Sequence, residues 1–273
     1  MVIELTPHKI AAAFFLFLLM PTPFMHLHIA EQIYERVSVN GNGRLQTSLS
    51  AEWPAFYLGS VAPDVNAIST LPRARTHFYD IPPEPDETAY GMMLAEYPQL
   101  ADWQTMSPGQ AVCVAAYSAH LMLDLIWLRE VVYPFFYLAQ DLGSRQQRRL
   151  THFILLTYLD TIALDGLPET AVSTLAAAES NQWLPFIDDE ILAAWQEMLV
   201  AQLKPGAPVK TVEIYAGRLG ITPEEFATNL QDPAWMQKQV FDKIPVDQVQ
   251  QILQTAVPKS IDLINDYLGF ARS

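Results

Sequence analysis

The chain is poor in cysteine and in basic residues. Cys113 is its only cysteine, so a disulfide within the chain is excluded. Asp and Glu outnumber Lys and Arg 30 to 16, which gives a formal net charge of -14 at pH 7. Because phosphate contacts to nucleic acid need clustered Lys and Arg, we expect no nucleic-acid partner. The acidic surplus favours a cation, or a substrate whose phosphate is met by a metal.

Long apolar runs are also scarce. The run from Ile10 to Met20 is shorter than the ~20 residues that a membrane-spanning helix needs. As a signal peptide it lacks a strong basic start and a small-residue cleavage site. Residues 1–19 are therefore either an apolar leader or a spurious extension upstream of a true start at Met20. A start at Met20 predicts a cytoplasmic protein, and a real leader predicts a secreted or membrane-attached one.

Apolar residues make up 51 % of the chain, which is enough for a sizeable core. Their spacing is that of helices almost throughout, and no run alternates as a strand would. Ser107, Ser144 and Thr222 stand where helix caps are expected. The pattern predicts an all-α fold with helices at about 25–38, 50–59, 88–101, 108–128, 130–141, 144–164, 168–179, 188–203, 211–218, 223–230, 232–242 and 246–268.

Two stretches break the helical pattern. Residues 60–88 hold five prolines and few periodic apolar positions, and residues 204–210 have the composition of a linker. We therefore predict a metal-binding helical domain over 20–203 and a C-terminal helical appendage over 204–273.

A His and an Asp lie four residues apart in the apolar segment "AAYSAHLMLDLIW" (115–127). His120 and Asp124 then share one face of a buried helix. An unpaired carboxylate there would cost several kcal/mol. Three arrangements remove that cost: a salt bridge, a hydrogen-bonded His–Asp pair, or a metal ion.

Three further residues are candidate ligands. His26 falls on the apolar stripe of its predicted helix, whereas His28 falls on the opposite, solvent side. Asp64 and His77 lie in the proline-rich stretch, where a fixed loop can aim side chains at a site. Each also has a structural interpretation: a core histidine, a capping carboxylate and a surface histidine.

Four blocks occur in order: "MHLHIAEQI", "LGSVAPDV", "THFYD" and "AAYSAHLMLDLIW". They resemble the His, Pro-Asp, Thr-His and Gly-Tyr-x-x-His-x-x-x-Asp blocks of the zinc-dependent phospholipase C family. The resemblance covers about residues 20–130. It implies a multi-helix bundle that hydrolyses phosphodiesters with clustered zinc ions.

The resemblance also implies metal ligands. Asp64, His77, His120 and Asp124 match one site in full, and His26 matches a second site in which Asp124 would bridge two metals. The family's next ligand, one turn beyond Asp124, would fall at position 128, where this chain has a leucine. We therefore expect one zinc ion, or two if His26 takes part. Manganese and iron suit the same ligand types.

A few other residues are weighed for roles at such a site. Tyr57, Tyr79 and Tyr117 are candidates to hydrogen-bond a substrate or to pack in the core. Arg73 and Arg75 flank His77, where they could meet a phosphate or form a solvated loop face, and we favour the latter. His152 and Asp160 stand two helical turns apart, which is too far to bind one ion together. In the resemblance they are the nearest counterparts of the family's remaining ligand pair.

Two functions follow as hypotheses. The first is a metal-dependent hydrolase of small-molecule or lipid phosphoesters, with Asp64 as the general base. The second is a non-catalytic helical protein in which the ion is structural. The chain has no adjacent His-Asp pair, so the metal motif of HD phosphohydrolases is excluded. Its acidity does not favour anionic membrane surfaces.

Overall fold

A computed structural model describes residues 20–39, 43–84, 86 and 88–270, without the side chain at position 140. The predictions for residues 1–19 lie outside the described residues. Every regular element in the described ranges is helical and none is a strand, so the predicted all-α class is confirmed. The α-helices are α1 (Pro23–Val39), α2 (Gly43–Ala51), α3 (Trp53–Val61), α4 (Arg73–His77), α5 (Ala89–Glu96), α6 (Pro108–Trp127), α7 (Arg145–Asp165), α8 (Ala171–Ala176), α9 (Asp189–Leu203), α10 (Thr211–Leu219), α11 (Pro223–Gln231), α12 (Pro233–Met236) and α13 (Val246–Tyr267).

The predicted helix caps are confirmed. Ser107, Ser144 and Thr222 each accept a hydrogen bond from a backbone N–H in the first turn of the helix that follows. At Ser144 the side chain of Gln147 returns a bond to the cap backbone, which completes a capping box.

Three predicted segments differ from the structure. The helix expected at 50–59 is two helices, α2 and α3, because Pro54 is accommodated at the start of a new helix. The helix expected at 130–141 is a π-helical continuation of α6, Leu128–Tyr137, which contains Pro134. The irregular stretch 60–88 contains a 3₁₀ helix, Ala62–Ala67, and the short helix α4.

Helix α6 is the centre of the fold. Its residues are buried almost all round, as its composition predicts, and it packs most extensively against α3 and α13. By length and composition α6 and its π-helical continuation could cross a membrane, but 94 % of its most apolar window is buried inside the protein. That burial is typical of a core helix.

The C-terminal segment packs on the rest of the chain. Helix α13 lies against α6 and α1, and Tyr267 donates a hydrogen bond to the carbonyl of Leu100 at 2.8 Å. The division into residues 20–203 and 204–273 stays a prediction. The structure adds that helices from both parts share one core.

Helices α3 and α6 approach so closely that only glycine fits at position 59. A Cβ at Gly59 would lie 2.2 Å from the carbonyl oxygen of Cys113 and 2.9 Å from the Cβ of Ala116. Since α3 leads directly into the 3₁₀ helix that carries Asp64, this contact fixes where that carboxylate enters the core.

Gly59→Ala should destabilise the fold by about 1–3 kcal/mol or more, because the added methyl group overlaps backbone. Gly217→Ala on α10 is the control, since nothing lies within 4 Å of its Cβ position. An alanine there should be neutral or should stabilise by about 0.5–1 kcal/mol. Urea unfolding compares the two variants. Equal stability of Gly59→Ala and the wild type would contradict the close contact.

Candidate metal centre

His120 and Asp124 lie on the buried face of α6, with 2 % and 0 % of their surfaces exposed. The Nδ1 atom of His120 is 2.8 Å from the carbonyl oxygen of Ser60, which can only accept a hydrogen bond. Nδ1 is therefore protonated, and the lone pair of His120 is on Nε2. This nitrogen lies 3.9 Å from Oδ2 of Asp124.

His77 is oriented in the same way. Its Nδ1 lies 2.8 Å from the hydroxyl of Thr76, which itself donates to the carbonyl of Arg73. The hydroxyl therefore accepts from Nδ1–H, and Nε2 of His77 carries the lone pair. Helix α4 ends at this histidine because Phe78 adopts the left-handed conformation (φ 56°), and the ring of Phe78 packs edge-on against Phe186.

His26 and Asp64 complete the cluster. The imidazole of His26 stacks on that of His120 with 3.5 Å between ring centroids. Its Nε2 lies 3.4 Å from Oδ1 of Asp124. The Nε2 atom of His77 lies 3.5 Å from both Oδ1 of Asp64 and Oδ2 of Asp124. Four chain segments thus deliver all five of the sequence-predicted ligands to one place.

The donor atoms form two overlapping sets. Ligand atoms of His26, His120 and Asp124 all lie within 4.8 Å of one another, and so do those of Asp64, His77 and His120. A tetrahedral ion with bonds of about 2.1 Å holds its ligand atoms about 3.4 Å apart. The distances of 3.4 and 3.5 Å match that spacing.

Five atoms at this centre are buried and have no hydrogen-bond partner among the described residues. They are Nε2 of His26, His77 and His120, Oδ2 of Asp64 and Oδ1 of Asp124. An unpaired buried polar atom costs about 1–3 kcal/mol. Imidazole nitrogens and carboxylate oxygens are the ligand types that zinc binds, so the cluster fits zinc.

The protonation states suit metal ligands. Burial lowers the pKa of His120 to about 3 and also lowers the pKa of His77, so both rings are neutral. Burial alone would raise the pKa of Asp124, but His26, His120 and Arg73 hold it below its usual range. Neutral imidazoles and ionised carboxylates are the forms that bind a metal.

Arg73 belongs to this centre, contrary to the prediction of a solvated loop face. Its side chain is 7 % exposed, and its Nη2 atom donates to Oδ2 of Asp124 at 2.7 Å. Arg75 is exposed, as predicted. Arg73 stands four residues before His77, so on a helix both face one way. The sequence pattern did not predict the burial of Arg73, because it did not predict helix α4 within the proline-rich stretch.

The three tyrosines weighed as substrate contacts pair with the protein instead. Tyr79 donates to Oδ2 of Asp124 at 3.0 Å. Tyr117 donates to the carbonyl of Thr76, and Tyr57 donates to Glu31. Tyr79 thus hydrogen-bonds a candidate ligand directly, and Tyr117 hydrogen-bonds the residue that precedes His77.

A cavity of about 320 Å³ adjoins the centre through Asp64 and Arg73. Its walls come from the start of α1, the 3₁₀ helix, α9 and α10. Its other polar lining residues are Thr22, Asn66, Gln202, Thr211, Tyr215 and Arg218, and its apolar ones include Phe24, Ile68, Trp195, Met198, Leu199 and Ile214. The side chain of Asp64 is 19 % exposed, so this carboxylate is reached from the cavity.

His152 and Asp160 lie apart from the five ligands. His152 is enclosed by aromatic rings, with Phe136 4.5 Å from its centroid. Asp160 is buried and accepts hydrogen bonds from Thr22 and Thr211, two residues that line the cavity. The pair therefore forms no second metal site. Leu128 is fully buried in the core.

A comparison with known families decides the classification. The model of the zinc-dependent phospholipase C family matches residues 25–203, which is more than half of the chain. The chain belongs to the zinc-dependent phospholipase C family. The matched region includes all five candidate ligands and ends before α10. No curated protein and no solved structure gave a significant match.

In this member of the zinc-dependent phospholipase C family, His120→Ala should weaken zinc binding strongly, because it removes a candidate ligand. The loss should exceed the about 10- to 100-fold loss that is typical when a residue next to a metal ligand is changed. His28→Ala is the control, because His28 is half-buried and bonds Gln32 on α1, away from the cluster. Competition with a chromophoric chelator gives the affinities. Equal losses in both variants would refute the ligand assignment.

Asp160→Asn should change how stability depends on pH. Burial raises the pKa of Asp160 from 3.8 to about 6, so ionisation destabilises the fold as the pH rises through this range. Asparagine cannot ionise. The free energy of unfolding of the variant relative to wild type should therefore rise by about 2.4 kcal/mol from pH 4 to pH 7.5. A difference that is constant with pH would contradict the burial of a charged Asp160.

Proposed function

We propose that this protein is a zinc-dependent hydrolase of phosphoesters, similar to phospholipase C in its chemistry. The five unpartnered donor atoms beside a cavity that an arginine also lines are the observation that carries the proposal. The ligands are His26, Asp64, His77, His120 and Asp124. Zinc, when bound, supplies a Lewis acid that polarises a phosphoryl oxygen and activates water.

Asp64 is the residue that would transfer a proton at the proposed zinc site. Asp64 is both a ligand and the general base in this proposal. Its Oδ1 lies 3.5 Å from Nε2 of His77, and its side chain is 19 % exposed and lines the cavity, so the carboxyl adjoins both the cluster and the cavity. From there it accepts a proton from the attacking water. The water oxygen bonds to phosphorus as the bond to the leaving alkoxide breaks, and the alkoxide takes a proton from solvent.

The cavity favours a phosphoester with an apolar group. Phe24, Met198, Leu199 and Ile214 offer apolar surface within the same cavity that Asp64 reaches. Lipid phosphoesters, the substrates that family membership suggests, and small aromatic or alkyl phosphoesters both meet this requirement. A panel with both kinds separates them.

On protein kept loaded with excess zinc, Asp64→Asn should lose hydrolysis by about 10²- to 10⁴-fold, the usual contribution of a general base. It should also bind zinc more weakly than wild type, because Asp64 is a proposed ligand. The control is Asp80→Asn, an exposed acid at the end of the same stretch, which should keep wild-type rates. Turnover of phosphodiesters and phosphomonoesters is measured on zinc-loaded protein. No turnover on the whole panel, or full activity of Asp64→Asn, would overturn the proposal.

A structural role for the ion is the second hypothesis. It is favoured by the origin of the ligands, which come from α1, the 3₁₀ helix, α4 and α6, so that one ion would staple four segments. Removal of zinc lowers the melting temperature under both hypotheses. Only the enzyme hypothesis predicts that Asp64→Asn, kept loaded with excess zinc, loses a hydrolysis that the wild type and Asp80→Asn both show.

A further inference from the structure

One face of α10 forms a wall of the cavity. Its lining residues recur at the spacing of a single helix face, and they are Thr211, Ile214, Tyr215 and Arg218. Thr211 donates a hydrogen bond to the carboxyl group of Asp160 at 2.8 Å, and Ile214 is apolar. The polar groups of Tyr215 and Arg218 are the ones on this wall that remain to be explained.

Arg218 is a half-buried cation without an anionic partner. In the described part of the chain its guanidinium forms no ion pair and no hydrogen bond, so all five of its N–H groups are unused. Its guanidinium carbon lies 5.6 Å from the centroid of the Tyr215 ring, which is within cation–π distance. Because Tyr215 and Arg218 both line the cavity, this cation stands at the cavity wall.

Contacts with α7 fix the position of this pair. The Tyr215 ring stacks on Phe153 of α7, with 4.5 Å between centroids and 7° between planes. Nη2 of Arg149, also on α7, donates to the backbone carbonyl of Arg218 at 2.9 Å. Burial raises the pKa of Tyr215, so its hydroxyl keeps its proton and is a hydrogen-bond donor. The pair therefore offers a cation and a neutral donor from one packed helix face.

The charges that line the cavity leave Arg218 uncompensated. The charged lining residues are Asp64, Arg73 and Arg218. Arg73 is paired with Asp124, and Asp64 is a candidate ligand of a cation. The positive charge of Arg218 is the one among these three that has no counter-charge in the described ranges. In a chain of net charge -14, a fixed and unpaired cation at a cavity favours an anionic group there.

We infer that Arg218 and Tyr215 form a subsite for a second anionic group of the substrate, so that the preferred phosphoesters carry a further phosphate, sulfonate or carboxylate. The inference rests on the proposed phosphoesterase for the reaction and deepens it by naming the substrate class. Arg218 forms no hydrogen bond or ion pair with any of the five candidate ligands in the described residues, whereas the reacting phosphoester must reach the zinc ion. The two anionic groups therefore occupy different parts of one cavity.

The experiment compares two phosphodiesters, nitrophenyl ethyl phosphate and nitrophenyl sulfonatoethyl phosphate, on zinc-loaded protein. They share a leaving group and differ in the sulfonate. The wild type should have the higher kcat/KM for the sulfonate ester, and Arg218→Gln should reduce the ratio of the two kcat/KM values by about 10- to 100-fold, mainly through KM. Tyr215→Phe keeps the ring and should reduce the ratio less. Arg75→Gln, at an exposed arginine, is the control and should keep the wild-type ratio.

Binding of hexanesulfonate, measured by calorimetry on the same zinc-loaded proteins, tests the subsite without turnover. Arg218→Gln should bind it about 10- to 100-fold more weakly than the wild type, whereas Arg75→Gln should bind it equally well. Arg218→Lys keeps the charge but lacks the planar guanidinium, so it should show an intermediate loss, and it decides the matter if Arg218→Gln does not fold.

The failure of the subsite and the failure of the proposed function give different results. A protein that hydrolyses neither ester but binds hexanesulfonate in an Arg218-dependent manner refutes the phosphoesterase and supports the subsite. Hydrolysis with no preference for the sulfonate ester, or with a ratio that Arg218→Gln leaves unchanged, overturns the subsite and supports the phosphoesterase. Absence of hexanesulfonate binding in the wild type, or equal affinities in the wild type and Arg218→Gln, also overturns the subsite.

Discussion

The buried charge of Asp124 is the constraint on which the rest of the centre depends. A buried carboxylate on an apolar helix needs hydrogen-bond donors or positive charges on the neighbouring segments, because removal of one partner leaves an uncompensated charge. Here Arg73 and Tyr79 donate hydrogen bonds to Oδ2, whereas Oδ1 faces the His26 ring and is free to bind the proposed ion. The segments that carry these partners are therefore placed by electrostatics as much as by apolar packing.

The close packing of helix backbones positions the segments that carry the residues of the centre. Gly59 lets α3 touch α6, and the next residue, Ser60, then offers its carbonyl to His120. That single hydrogen bond fixes the tautomer and turns Nε2 toward the cluster. Four residues later the chain delivers Asp64. At the far end of α3, Trp195 on α9 donates to the carbonyl of Val61 at 2.8 Å and holds this exit in place. Helix contact thus sets the geometry of the centre together with the interactions of Asp124.

The sequence predicted which five side chains would converge better than it predicted their surroundings, for a physical reason. The i, i+4 spacing of His120 and Asp124 and the apolar stripe of His26 are properties of one helix, which periodicity reports. The order of four motif blocks added Asp64 and His77. The role of Arg73 depends on α4, a helix of five residues hidden among prolines, and on a contact with Asp124 that is distant in sequence. The pairing of Tyr79, Tyr117 and Tyr57 with the protein is likewise a tertiary result, because a tyrosine in a core and one in a substrate site have the same local sequence.

The cavity shows why the chain must be considered as a whole. The candidate metal ligands and Arg73 lie within the region that the family model matches. The cavity is also lined from α10, beyond residue 203, by Thr211, Ile214, Tyr215 and Arg218. Asp160 joins the two sides, since it accepts hydrogen bonds from Thr22 before α1 and from Thr211 at the start of α10. Chemistry and cavity shape are therefore set by different parts of the chain, which a buried carboxylate ties together. A division of the protein at residue 203 passes through this cavity, so the C-terminal part shapes the space beside the candidate metal centre.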